Sequence, residues 1–90
     1  MNKNVIGKYF KRYDLEKRGV YIAYHILNFN GKYYEATYYS LDQGSAIKEN
    51  SLELQPGFYN APNFKEISKA EFESIEYLYK VSGRFEYDNK

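Results

Sequence analysis

Alternation of apolar and polar residues dominates the first two-thirds of the chain, and this period of two is typical of β-strands. Three strands are predicted over Val5–Asp14, Val20–Phe29 and Lys32–Leu41, and a weaker one over Ala46–Leu54. The second strand is apolar at both parities, as expected of a strand buried on both faces. The weaker strand contains Lys and Glu, which suit a sheet edge because charged side chains discourage pairing with another sheet.

The connection between the second and third strands is Asn30-Gly31. Both residues tolerate the positive φ angles of a type I′ turn, so the pair predicts a hairpin with a loop of two residues. In that register Ala23 lies opposite Tyr38, and each face of the hairpin has a defined set of side chains. One face would hold Tyr21, Ala23, His25, Leu27, Tyr34, Ala36 and Tyr38. The opposite face, richer in β-branched residues and therefore the predicted main core, would hold Val20, Ile22, Tyr24, Ile26, Tyr33, Glu35, Thr37, Tyr39 and Leu41.

Two further turns are indicated after this hairpin. Asp42–Ser45 is polar and contains Gly44, and it would connect the third strand to the weaker one. Pro56-Gly57 suits the two central positions of a type II turn, because proline presets φ at the first and glycine accepts a positive φ at the second. The residues after this turn are predicted to be extended or irregular.

A single helix is predicted over Lys69–Ser82. Ser68 is a capping residue, Glu71 completes a capping box three residues later, and Ile67 can pack on Phe72 as a hydrophobic staple. Gly83 is expected to end the helix in the left-handed conformation. The apolar stripe would consist of Phe72, Ile75, Leu78 and Tyr79, with Glu73, Glu76 and Lys80 pointing outward.

These elements predict an α+β fold in which one C-terminal α-helix packs on a strongly bent antiparallel β-sheet. The sheet would have four to five strands and resemble a small barrel. Residues 1–90 would form a single domain, β-rich over residues 5–66 and helical over residues 69–82, with a short tail at residues 84–90.

Composition limits the functional classes. The chain has 13 basic and 12 acidic residues, so its net charge of +1 creates no global field that attracts nucleic acid or an anionic membrane. Cysteine is absent, which excludes disulfide scaffolds, thiol catalysis and cysteine-based zinc sites. No signal peptide or membrane span is recognisable, and a cytoplasmic location is expected. The abundance of Lys, Asn, Ile, Phe and Tyr, which have A/T-rich codons, is typical of low-GC bacteria and their phages.

No catalytic, cofactor or metal site is predicted. His25 is the only histidine and is expected in the middle of a strand, where packing is a more frequent role than catalysis. Metal sites usually need three or more ligands, and no second histidine is available. Glu35 is expected at the rim of the sheet, and the glycines are too dispersed for a phosphate loop. The protein is therefore predicted not to be an enzyme.

Tyrosine is the residue that points to binding. Half of the 12 tyrosines fall within Tyr21–Ser40, and tyrosine gives interfaces rigid contact area at low entropic cost. Ordinary sheet packing is the alternative role for them. A protein-binding surface is predicted with Tyr21, Tyr34 and Tyr38 as packing anchors and a basic patch for electrostatic steering; the patch consists of Lys11, Arg12, Lys17 and Arg18.

The leading hypothesis is a small non-enzymatic protein that binds another protein. A phage- or mobile-element-encoded accessory protein or inhibitor of a host protein, such as a defence or nucleic-acid-processing protein, would fit the composition. One alternative is a single-stranded nucleic-acid binder that stacks bases on its tyrosines. Another is a small-ligand or nucleotide binder with a pocket between sheet and helix. Homodimerisation through the tyrosine face is also compatible with the sequence.

Overall fold

The fold is a five-stranded antiparallel sheet with one helix, and the sheet order is β4-β3-β2-β1-β5. A computed structural model of the chain describes residues 4–12, 18–42 and 45–88. The strands are β1 (Tyr9–Arg12), β2 (Tyr21–Phe29), β3 (Tyr34–Asp42), β4 (Ser45–Leu54) and β5 (Phe64–Ile67). A short 3-10 helix spans Phe58–Asn60, and the helix α1 spans Lys69–Asp88.

The predicted α+β class, antiparallel sheet and C-terminal helix are confirmed. The sheet is curled, and it is not closed into a barrel, because β4 and β5 are separate edges. The prediction of β4 as an edge strand is also confirmed. The predicted first strand was too long: Val5 to Lys8 form a turn that precedes β1. Residues 13–17 and 43–44, which include the middle of the predicted Asp42–Ser45 turn, lie outside the described residues.

The predicted register of the β2–β3 hairpin is wrong. Phe29 pairs with Tyr34 rather than with Lys32, and Ala23 pairs with Tyr39 rather than with Tyr38. The cause is a shifted turn, in which the amide N–H of Asn30 donates to the carbonyl of Tyr33 at 3.0 Å and Gly31 has a φ of 95°. The Asn30 side-chain oxygen accepts from the Tyr33 N–H at 2.8 Å. It replaces the Asn30 backbone carbonyl, which would accept this hydrogen bond in a regular hairpin turn.

A bulge near Leu27 changes the register once more, by one residue between Ile26 and Asn28. Because side chains alternate between faces, the total shift exchanges the two faces of β3 relative to β2. Ala23 therefore shares its face with Tyr39, whereas Tyr24 shares the other face with Tyr38. Each predicted face of the hairpin therefore combined residues of β2 with residues of β3 that lie on the opposite face.

Both faces of the sheet are covered by apolar side chains. The cluster on the side of α1 consists of Ala23, Tyr39, Leu41, Ile67, Phe72 and Ile75. The cluster on the opposite side consists of Val5, Phe10, Tyr24, Ile26, Tyr34, Ala36 and Phe58. The two central alanines are fully buried, one in each cluster, so small side chains on this hairpin allow close packing on both faces.

The N-terminus of α1 has the predicted Ser68 cap, but the Glu71 carboxylate contacts Lys11 at 2.7 Å instead of completing the predicted capping box. The Glu71 N–H donates to the Ser68 hydroxyl at 3.1 Å, and both staple residues, Ile67 and Phe72, belong to the helix-side cluster. The helix does not end at Gly83 but continues to Asp88. A glycine supplies a C-cap only where the chain turns away, and here the helical path is maintained.

The predicted apolar stripe of α1 is only partly correct. Phe72 and Ile75 are buried, but Leu78 is 47% exposed. Glu76, which was expected to point outward, accepts a hydrogen bond of 2.8 Å from the Tyr39 hydroxyl. The buried stripe is therefore rotated towards Glu76 and Tyr79, because the tyrosine hydroxyl on β3 needs an acceptor on the helix.

Candidate binding groove at the hairpin end

The three predicted anchor tyrosines do not form one surface. Tyr21 pairs with Leu41 on the helix side of the sheet and is exposed. Tyr34 and Tyr38 lie on the opposite side; Tyr34 is 8% exposed, and the ring of Tyr38 is 5.4 Å from that of Tyr24. The shared face was a consequence of the predicted register, and the observed pairing removes it.

The predicted basic patch is divided in the same way, because neighbouring residues of a strand point to opposite faces. Lys11 lies on the helix side and its ammonium group is 2.7 Å from the Glu71 carboxylate. Arg12 lies on the other side, with its guanidinium 5.6 Å from the centre of the Phe64 ring. Arg18 is exposed, and Lys17 lies outside the described residues. Lys11 and Arg12 therefore support the fold locally rather than a common surface.

His25 is packed between aromatic rings. Its ring stacks on Tyr9 with the centres 4.3 Å apart, and Phe72 lies 5.8 Å away. Burial lowers the pKa of His25; Lys69 lowers it further, whereas a hydrogen bond to the Gly7 backbone and the charge of Glu76 oppose the shift. His25 is thus a neutral imidazole packed against aromatic rings, and packing is the role that the sequence analysis favoured for it.

Tyr39 is the other titratable group whose environment changes its acidity. It is 2% exposed, and burial together with the hydrogen bond to Glu76 raises its pKa above the ordinary tyrosine range. The phenol therefore stays protonated and donates to the carboxylate. Within residues 4–12, 18–42 and 45–88, no group of three His, Asp or Glu side chains is arranged to hold a metal ion.

A concavity lies at the end of the sheet where β2 and β3 are joined. We call it the hairpin-end groove; its volume is about 460 Å³, and it is lined by Asn4, Val5, Ile6, Phe29, Tyr34, Pro56, Gly57 and Tyr59. None of these side chains is charged. Aromatic and apolar walls with a few polar atoms are typical of binding sites, and this volume is within the usual range for them.

One wall of the groove is the turn before β1. The Lys8 N–H donates to the Val5 carbonyl at 2.9 Å, and Gly7 takes a φ of 86°. The Gly7 N–H donates to the Ile26 carbonyl at 2.7 Å, which attaches the turn to β2. This arrangement buries Val5 and leaves Ile6 at the corner, 47% exposed.

The opposite wall comes from the Pro56-Gly57 turn. The Phe58 N–H donates to the Gln55 carbonyl at 3.1 Å, and Gly57 has φ 85° and ψ 4°, as the predicted type II turn requires. The turn leads into the 3-10 helix, where Phe58 enters the core and Tyr59 borders the groove. The Pro56-Gly57 pair therefore predicted the turn, but it did not predict that the turn would line a groove.

Phe29 completes the rim. Its ring is 4.8 Å from that of Tyr34 and remains 38% exposed. Sequence analysis placed Phe29 beside a turn but gave no reason to join it to Ile6 or Tyr59. These residues are far apart in the sequence, and only the pairing of β1 with β2 and the return of the chain along β5 bring them together.

Comparisons with protein-family models, with curated protein sequences and with solved structures found no match to this chain. No helix among the described residues has the length and apolar content needed to cross a membrane. A functional hypothesis therefore depends on the geometry of the hairpin-end groove and on the exposed side chains that line it.

Proposed function

We propose that the protein is a non-enzymatic binding protein that uses the hairpin-end groove to engage an apolar segment of another protein. The observation that carries the proposal is that Ile6 and Phe29, two large apolar side chains that both line this aromatic groove, are exposed. Aromatic anchors in a desolvated pocket supply most of the energy of protein interfaces.

The charge of the groove favours a protein over a nucleic acid. Single-stranded nucleic acid needs cations along the backbone path as well as aromatic rings. Among residues 4–12, 18–42 and 45–88, the lining of the groove contains no cation, and Lys11 and Arg12 are directed to opposite faces of β1. An apolar protein segment is the occupant that these walls can desolvate without leaving unpaired charges.

The experiment uses the immobilised protein to capture partners from its source cell, in parallel with two variants. Ile6→Ser/Phe29→Ala alters the rim of the groove, whereas Leu78→Ser removes an equally exposed apolar side chain from the helix. A partner should be retained by the wild type and by L78S, and its dissociation constant for the groove variant should rise by roughly tenfold or more. Circular dichroism would establish that all three proteins are folded.

Three outcomes would contradict the proposal. Equal retention of the partner by the groove variant would place the contact elsewhere. Retention of nucleic acid, with an affinity that falls steeply as salt is added, would favour base stacking instead. A partner lost equally from both variants would indicate a general effect of apolar substitution rather than a groove contact.

Composition supports a narrower form of the proposal. Residues with A/T-rich codons are abundant in this chain, which fits an origin in a phage or mobile element of a low-GC bacterium. A host defence or nucleic-acid-processing protein is then the expected class of partner, and inhibition by occupation of its surface is the expected effect. The captured protein, once identified and assayed with and without this chain, tests both points.

A small ligand is a second candidate, favoured by the volume of the groove. About 460 Å³ is enough for a nucleotide-sized molecule. A ligand that binds only the folded state raises the melting temperature as its concentration increases. A screen of nucleotides and small aromatic compounds should then give a shift in the wild type that the I6S/F29A variant lacks.

A further inference from the structure

One edge of the sheet is long and open. β4 contains ten residues and, in the part of the chain that the structure describes, pairs only with β3, whereas the other edge, β5, has four residues and is followed directly by α1. The side chains of residues 47–51 and of Glu53 are exposed, and Ile47 is 49% exposed. An edge strand of this length presents a row of backbone donors and acceptors to which another strand can add.

A bulge divides β4 into two arms. Between the pairs Tyr38↔Glu49 and Ala36↔Leu52, β3 advances by two residues and β4 by three, so β4 contains one extra residue at its centre. The bulge reverses the alternation of side chains between the arms. Lys48 and Glu53, which are an odd number of residues apart, consequently lie on the same face of the sheet.

The pairing with β3 identifies that face. Lys48 lies opposite Tyr39 of the helix-side cluster. Leu52 and Leu54 pack on the opposite cluster, so Glu53 between them is directed to the helix side. Ile47, next to Lys48, is on the same side as Leu54.

We propose that β4 pairs in antiparallel orientation with β4 of a second copy of this chain, about a twofold axis at the bulge. Lys48 would lie opposite Glu53 of the second copy, and Ile47 opposite Leu54. The symmetry makes each pair occur twice, and the two sheets become one continuous sheet. This inference is independent of the groove and of the proposed function.

Charge complementarity selects this register. Within its own sheet Glu53 lies opposite Glu35, and like charges in that position are destabilising. The Glu35 carboxylate accepts from the side-chain amide of Asn28 at 3.1 Å. In the part of the chain that the structure describes, no cation lies within ion-pair distance of Glu53. Lys48 of the second copy supplies one.

Neighbouring registers lose this match. A shift of two residues in one direction places Lys48 opposite Ser51, and a shift in the other places it opposite Gln55. In both cases Glu53 faces an uncharged residue. Only shifts by an even number of residues keep the side chains of both copies on matching faces. Among these neighbouring registers, the Lys48–Glu53 register is the one that pairs opposite charges and also pairs Ile47 with Leu54.

Charge reversal tests the pairing. Sedimentation over a range of concentrations should show a wild-type monomer–dimer equilibrium. Lys48→Glu and Glu53→Lys should each raise the dimer dissociation constant about tenfold, because two attractive pairs become two repulsive pairs. The double variant K48E/E53K should restore it to nearly the wild-type value. Lys65→Glu, a reversal on the opposite edge strand, is the matched control and should have no effect.

Disulfide trapping tests the register directly, because the chain has no cysteine of its own. A mixture of Lys48→Cys and Glu53→Cys proteins should form a crosslinked dimer on oxidation. A mixture of Lys48→Cys and Gln55→Cys, which would be partners only in a register shifted by two residues, should not. A wild type that stays monomeric at the highest concentration, a double charge swap that fails to restore association, or equal crosslinking in both mixtures would overturn the proposal.

Discussion

At the scale of single residues, several polar side chains of this protein have specific partners. The Tyr39 hydroxyl donates to Glu76, and the amide oxygen of Asn30 accepts from the backbone of its own turn. His25 lies in a stack with Tyr9 and Phe72, where burial disfavours its charged form. Tyr39 thus buries its ring while its hydroxyl keeps a hydrogen-bond partner.

The lowered pKa of His25 predicts a pH dependence of stability. The unfolded chain binds a proton at His25 at a higher pH than the folded chain, so the contribution of the neutral ring is complete above the ordinary pKa of 6.5. It is lost as the pH falls through the lower pKa of the folded state. The free energy of unfolding should therefore decrease as the pH falls below about 6.5. His25→Phe, which keeps an aromatic ring in the stack, should show a smaller decrease.

Urea titrations of the two proteins at several pH values provide the measurement. Parallel pH profiles for the wild type and H25F would show that His25 does not contribute. The groups whose charges act on the ring, Lys69 and Glu76, are present in both proteins, so the difference between the profiles isolates the imidazole.

At the scale of the element, α1 shows which local signals are decisive. Its start is specified by a side chain: the Ser68 hydroxyl accepts from the Glu71 N–H. The same Glu71 extends to Lys11 of β1 with 2.7 Å between the charged atoms. The first turn is thus fixed both by its own cap and by a contact to the sheet, which orients the helix against the strand that it covers.

Replacement of Ser68 by alanine should destabilise the protein by about 1 kcal/mol, because the Glu71 N–H loses its acceptor. Ser74→Ala on the same helix is the control. The Ser74 hydroxyl donates to the carbonyl of Ala70 at 3.1 Å, a bond that competes with the helix rather than starting it. Chemical denaturation should show a lower midpoint for S68A and little change for S74A; equal losses would contradict a specific capping role.

At the scale of the whole molecule, the curled sheet is the centre of two apolar layers. One layer lies under α1, and the other is closed by Phe58, whose ring contacts Phe10, Tyr34, Tyr59 and Phe64 at centre distances of 5.1–5.6 Å. The short 3-10 helix thereby covers one face of the sheet, as α1 covers the other. Single domains of this size are only marginally stable, so both layers are needed.

Phe58→Ala should destabilise the protein by roughly 3–5 kcal/mol, a large part of its expected stability. Because the two layers share the same strands, the near-ultraviolet signal of the tyrosines on both faces should be lost together. Phe29→Ala, at the exposed rim of the groove, is the matched control and should cost much less. Loss of the Phe58 layer alone, with the helix side intact, would contradict a single cooperative unit.

Local signals predicted elements well and long-range placement poorly. The Pro56-Gly57 turn, the Ser68 cap and the edge strand β4 are each specified by residues close together in the sequence, and each is present. The candidate groove joins Ile6, Phe29 and Tyr59, which no local pattern connects. The predicted grouping of the tyrosines changed for a related reason: the bulge near Leu27 shifts the pairing of β2 with β3 by one residue, which places Tyr21 on the opposite face from Tyr34 and Tyr38.

The sequence by itself determined the α+β class, the antiparallel strands and the start of the helix, because hydrophobic period, turn chemistry and capping act over a few residues. Only the tertiary structure decided the register of β2 with β3. The energy of a hairpin turn depends on which residues hydrogen bond across it, and here the Asn30 side chain and a bulge near Leu27 shifted the pairing. A shift of one residue exchanges the faces of a strand, and this exchange divided the tyrosines between two cores and left the hairpin-end groove as the candidate site.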